Sequence, residues 1–361
     1  MSHRRLLPPL VLAALAAALV AVPVSAGPPP SQSAASAWVV SRTQGPIGTP
    51  VTPAANDRGN SAGGTNAVTK VAKGEYEVLL GGMGDGFGTV QVTPVNTSPR
   101  WCSVDEWGPD TGGVRVTVLC KDASGSLVNS GFVLSYVEDT GLGHGATGRR
   151  LAYMWNSDAV GAGSQTPNLL YQSTSAGTTI TRNRTSTGRY TVTIPGMGVT
   201  GGNVQLTSVA SLGTCRAVSW SGTVLDETIT VACNKPAGTP VDAQFDLLFV
   251  HRLGPEGWGG GPSAYLLANK PNATSYTPSA THRFNTKGKA MSILRGGTGN
   301  YTVILSGMPA GGAALVTAFG SGTAHCQLSS LGTVTPMKAI VRCFTPTGAA
   351  TNAKFSLAYT K

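Results

Sequence analysis

Six cysteines offer the most recognisable side-chain chemistry in the chain: Cys102 and Cys120, Cys215 and Cys233, Cys326 and Cys343. Thiols can be oxidised to disulfides, can bind zinc as thiolates, or can act as nucleophiles. A zinc set would show Cys-x-x-Cys pairs or histidines at a fixed offset, and neither recurs here. The separations of 18, 18 and 17 residues fit two neighbouring strands and the turn between them. Of the 15 possible pairings of six cysteines, the repeat described below selects the one in which each unit closes its own pair.

Other catalytic groupings are weaker. His144, His251, His282 and His325 do not recur: His251 aligns with Glu138, and His325 with Trp101 and Thr214. No Gly-x-Ser-x-Gly elbow presents a nucleophilic serine. Glycoside hydrolysis needs two acids in one cleft, yet no Asp or Glu follows Gly257. Asp226, Glu227, Asp242 and Asp246 remain in the middle of the chain, with the adjacent Asp226 and Glu227 expected in a turn. EF-hand, phosphate-loop and dinucleotide glycine patterns are missing too. No catalytic, cofactor-binding or metal-ligating residue is assigned, no cofactor is expected, and the chain reads as non-catalytic.

The elements that position these residues repeat three times. Gly74-x-Tyr76-x-Val78 returns as Gly188-x-Tyr190-x-Val192 and as Gly299-x-Tyr301-x-Val303, each followed by a Gly-Met pair. An Ala-aromatic pair opens each unit (Ala37-Trp38, Ala152-Tyr153, Ala264-Tyr265). An alternating strand closes each, through Phe132, Phe245 or Phe355, three residues after Asn129, Asp242 or Asn352. Short Asx side chains bond nearby backbone, so these three read as turn residues. Period-2 alternation such as Tyr190-Thr-Val192-Thr-Ile194 marks half-buried strands, about seven per unit. Charged residues make up only 12% of the chain and 48 residues are Gly, which favours strands and tight turns over long solvent-facing helices.

The expected fold is all-β: three tandem β-sandwich modules, Ig-like or jelly-roll-like, after a signal peptide. The modules span 37–140, 151–251 and 263–361. Gly-rich linkers, flexible by composition, run over 141–150 and 252–262. Trp107 and Trp220 follow the first cysteine of their units by five residues, Leu331 holds the third position, and core packing is expected of them.

The Gly-x-Tyr-x-Val strand, the paired cysteines and the Asx-x-x-Phe-x-Leu close resemble a β-rich repeat of uncharacterised secreted actinobacterial proteins. The likeness covers nearly the whole chain after residue 26. It implies an exported bacterial repeat protein and transfers no functional residue.

Arg4 and Arg5, an apolar run from Leu10 to Val22 and small residues up to Ala26 read as a signal peptide over 1–26, by the general or the twin-arginine route. A flexible segment over 27–36 follows. The expected location is secreted, extracellular, where disulfides persist.

Charge supplies the functional lead. The formal charge of +10 is distributed unevenly. Residues 37–140 hold seven basic and ten acidic side chains, 151–251 hold five of each, and 263–361 hold nine basic and none acidic. A basic cluster in the third unit, Arg283, Lys287, Lys289 and Arg295, is the candidate contact for an anionic cell-wall or extracellular polymer. Lys and Arg also protect sheet edges from pairing, and that reading stands beside the binding one. Two further classes stay open: a polysaccharide-binding accessory protein using the recurring Trp38, Tyr153 and Tyr265 as a sugar strip, and an enzyme or inhibitor with an unrecognised site. Core packing is the competing reading of those three rings, and their burial would remove the strip.

Overall fold

A computed structural model describes residues 35–42, 44–138, 148–210, 213–258 and 261–361. The expected signal segment, residues 27–34, His144 and most of the first linker lie outside them.

Each unit contributes nine strands. The first gives β1 (Ala35–Ser41), β2 (Pro50–Val51), β3 (Arg58–Asn60), β4 (Asn66–Ala72), β5 (Glu75–Gly81), β6 (Thr89–Val95), β7 (Trp101–Asp110), β8 (Gly113–Lys121) and β9 (Gly131–Glu138). The second gives β10 (Arg150–Asn156), β11 (Gly163–Gln165), β12 (Gln172–Thr174), β13 (Thr181–Ser186), β14 (Arg189–Ile194), β15 (Asn203–Val209), β16 (Thr214–Gly222), β17 (Glu227–Asn234) and β18 (Gln244–His251). The third gives β19 (Ser263–Ala268), β20 (Ser275–Tyr276), β21 (Arg283–Asn285), β22 (Ser292–Gly297), β23 (Asn300–Leu305), β24 (Ala313–Phe319), β25 (His325–Leu331), β26 (Met337–Phe344) and β27 (Lys354–Thr360). Two strands per unit escape the alternation pattern because they are only two or three residues long.

The fold is all-β, with three sandwich-like units, but the sheets do not stop at the repeat boundaries. Each unit splits into a five-stranded and a four-stranded half, and each of the three nine-stranded sheets joins halves of two units. The joins are parallel and recur: Val104 of β7 faces Val209 of β15, Ala217 of β16 faces Phe319 of β24, and Leu328 of β25 faces Val95 of β6. The last join returns to the first unit, so the array closes on itself.

Threonines tighten the closure. Val92 N donates to Thr207 Oγ1 (2.8 Å), Leu206 N to Thr317 Oγ1 (3.0 Å), and Val316 N to Thr93 Oγ1 (2.9 Å). The hydroxyls of Thr207 and Thr317 donate in turn to Gln91 and Gln205. Leu315 stands where the third glutamine would be. These groups are buried, so their mutual pairing removes the penalty of desolvated donors.

Within a unit the repeated motif is a set of contacts. The Tyr76 ring packs on Phe132, Tyr190 on Phe245 and Tyr301 on Phe355, with centroids 5.2, 5.2 and 5.4 Å apart. Asn129, Asp242 and Asn352 each accept the N–H of the motif glycine, at 3.0, 2.8 and 2.8 Å. Those glycines hold φ of 75°, 65° and 64°. At Gly188 a Cβ would lie 2.5 Å from the Cys233 carbonyl oxygen, so the position requires glycine. The Asx residue is thus more than a local turn former, because it ties the last strand's entry to the turn before the Tyr strand. Each disulfide joins directly opposed residues of a hairpin, as the spacing indicates: Cys102–Cys120, Cys215–Cys233 and Cys326–Cys343.

Two boundaries differ from the sequence expectation. β1 begins at Ala35, so the last two residues of the 27–36 segment belong to a strand. The second Gly-rich linker is tied down through residue 258: Leu253 and Glu256 are buried, and Arg252 N donates to the Tyr265 hydroxyl (3.1 Å). Composition alone suggests flexibility there, but the closed array covers the segment.

Candidate functional site

The four basic residues of the third unit have different surroundings. Arg283 lies on β21 and its Nη1 donates to the Pro278 carbonyl at 2.7 Å. Arg58 makes the same contact to Pro53, and Gln172 to Pro167, so this position braces a loop in every unit. Lys287 and Lys289 are exposed on the connection from β21 to β22. Both flank the Gly307 turn: a Cβ on that glycine would lie 3.1 Å from Lys289 Cγ and 3.2 Å from Lys287 Cβ. Arg295 is half-buried on β22, opposite Tyr301. β21 and β22 belong to different sheets, and the lysines stand on the strip between them.

In the second unit, Arg182, which aligns with Ile293, is buried, and Arg184, which aligns with Arg295, is paired with an acid. Arg182 is 2% exposed and donates to Asn156 Oδ1 (2.7 Å) and the Gly161 carbonyl (2.7 Å). Arg184 forms a two-pronged pair with Asp242, at 2.9 and 2.8 Å. Arg184 holds the Asp242 carboxyl below its ordinary range. All five ion-pair contacts among the described residues belong to the first two units; none involves a cation of 263–361.

The opening aromatics are buried: Trp38 is 3% exposed, and Tyr153 and Tyr265 are each 2% exposed. Ala37, Ala152 and Ala264 point into their own sandwiches, whereas Tyr153 and Tyr265 pack with Val137, Leu248 and Ala358 between units. A sugar strip on these rings is therefore ruled out. Trp220 is buried against Phe319 of the next unit, with centroids 4.8 Å apart. Trp107 is half-buried in a cluster with Trp155 and Tyr171, which also meets Phe87.

The buried ionisable groups sit mainly at the junctions. Asp246 accepts from Thr89 Oγ1 (2.7 Å) and Val90 N (2.6 Å) of the first unit, and burial pushes its carboxyl up to about 8. Glu256, beside Trp38 of the first unit, is pushed up to about 7 by burial. Glu227 is pushed up to about 8 by burial at the start of β17. His325 lies between Trp101 and Phe344, and burial lowers it to about 3, so its ring is neutral. The Tyr136 hydroxyl donates to Glu138 Oε2 (2.5 Å); burial raises the Glu138 carboxyl, with a further rise from Asp85. Nothing local in the sequence marks Asp246 or His325, because their neighbours Thr89 and Trp101 come from strands over a hundred residues away.

No group of three or more metal-ligating side chains occurs among the described residues. No helix among them is long and apolar enough to cross a membrane. No family model, curated protein or solved structure matches the chain.

Proposed function

We propose that the chain is a secreted, non-catalytic bacterial repeat protein whose third unit binds an anionic cell-wall or extracellular polymer. The observation that carries this reading is the run of nine cations and no acids over 263–361, none of them neutralised by an ion pair among the described residues. Lys270, Lys287, Lys289, Lys338 and Lys354 are exposed. A one-signed surface of this kind attracts polyanions over a Debye length and releases counterions on contact. Three disulfides and the signal-like N-terminus support an oxidising, extracellular setting.

Because the sheets cross unit boundaries, the test uses the whole chain. Co-sedimentation with isolated teichoic acid-bearing walls and with an anionic polysaccharide should retain the wild type. Lys287→Glu with Lys289→Glu should release it at lower salt. Equal retention of both proteins would refute the assignment.

A neutral-polysaccharide reading survives at another place. A groove of about 240 Å³ runs over Trp107, flanked by Glu106, Asp110 and Arg115. An indole wall beside charged hydrogen-bonding groups suits a sugar ring. Loss of glycan binding in Trp107→Ala, with polyanion binding intact, would favour this second reading.

A further inference from the structure

A cavity of about 370 Å³ opens where the second unit meets the third. Arg216, the Gly320–Thr323 loop, Thr345, Asn352 and Lys354 line it, and no acidic side chain does. Arg216 is only 5% exposed. Its Nε donates to the Gly320 carbonyl (3.1 Å), Nη1 to Asn234 Oδ1 (2.6 Å) and Nη2 to the Ser321 carbonyl (3.4 Å). A guanidinium has five N–H groups, so each terminal nitrogen keeps one unspent. Burial lowers its pKa to about 10, which leaves it charged at neutral pH. Arg189 lies in the same row of the sheet, two strands away through Ala232.

The repeat shows that a cation is not needed to hold this loop. Gln327 occupies the equivalent position of the third unit. It accepts from Arg100 N (2.7 Å) and donates to the Asn96 and Ser98 carbonyls (2.6 and 2.9 Å), clamping the matching loop of the first unit with a neutral amide. Arg216 performs the same clamp and in addition brings a buried charge that no acid pairs with among the described residues. Such a charge is costly unless an anion completes it. A Cβ added at Gly320 or Gly322 would meet nothing within 4 Å, so the loop faces open space.

We propose that this cavity binds one oxyanion-bearing sugar unit, with the fork of Arg216 on the oxyanion, Lys354 at the rim and the surrounding hydroxyls on the ring. The inference rests on the anionic-polymer reading and names the group that is gripped. Sulfate, phosphate and uronate carboxylate share the required chemistry.

Calorimetric titration of the full chain with a sulfated disaccharide, a galacturonate disaccharide and glycerol phosphate separates these sources. At least one should bind with 1:1 stoichiometry. Arg216→Gln should weaken it at least tenfold while melting close to wild type, since glutamine already serves at the equivalent position. Lys354→Gln, on the exposed rim, should weaken it about threefold; if R216Q does not fold, an unchanged affinity in K354Q overturns the site. No binding by any probe, or equal binding by R216Q, also overturns it. Retention on the long polymer in that case leaves the polymer reading standing. Arg216-dependent binding of a probe without retention on the polymer would do the reverse.

Discussion

The side-chain oxygen of Thr207 lies 2.8 Å from the backbone nitrogen of Val92, so the second unit accepts a hydrogen bond from a strand of the first. Thr317 and Thr93 repeat the contact at the other two junctions. Thr207→Val keeps the shape but strands the Val92 N–H and removes the hydroxyl that Gln91 accepts from. A loss of roughly 1–3 kcal/mol is expected from a buried unpaired group. Chemical denaturation measures it, and an unchanged midpoint would mean the junction does not depend on this bond.

The motif glycine should be as sensitive. Gly188→Ala would force a side chain into positive φ and against the Cys233 carbonyl. Strain of about 1–3 kcal/mol follows. Asn129→Ala, which only removes an acceptor from Gly74, should cost about 1 kcal/mol. Thermal melts that rank these two variants in the opposite order would contradict the assigned roles.

Reduction should destabilise the chain. Closing an 18-residue loop is worth about 3 kcal/mol on the chain-entropy view. Melting in a strong reductant should occur at lower temperature, with free thiols appearing by titration. Fully reduced protein with an unchanged melt would show the disulfides to be dispensable.

Stability should fall as pH rises from about 6.5 to 8. Asp246, Glu227 and Glu256 have folded pKa values raised to about 8, 8 and 7, so over this window the unfolded chain binds fewer protons than the folded one. The slope of unfolding free energy against pH is then negative. His325, lowered to about 3, and His251 and His282, each lowered by burial, oppose this below about 6.5, where the unfolded imidazoles take up protons. Asp246→Asn with Glu227→Gln should flatten the alkaline limb. Denaturation midpoints at pH 6.5, 7 and 8 check the sign, and a rise toward pH 8 in the wild type would refute it.

The interior of each unit was legible in the sequence because alternation, turn glycines and cysteine spacing are local signals. Tyr76, Phe132 and the three cysteine pairs show this. The closure was not legible, because alternation gives the outward face of a strand but not what covers it. Trp38, Tyr153 and Tyr265 recur on the opening strands, and that recurrence fitted a sugar strip or core packing without indicating a junction between units. Basic residues were ambiguous for the same reason. Arg182 and Arg216 are internal, Arg283 braces a loop, and only Lys287 and Lys289 of the candidate quartet are exposed.

The salt dependence of polyanion affinity tests the central claim most directly. Binding of the full chain to an immobilised anionic polysaccharide would be measured from low to physiological salt for three proteins: wild type, Lys287→Gln with Lys289→Gln, and Lys70→Gln with Lys73→Gln as a first-unit control of equal charge. The expected result is a steep fall of log affinity with log salt in the wild type and the control, with the slope reduced by roughly two in the third-unit variant. Equal slopes for the two double variants would contradict a binding face on the third unit.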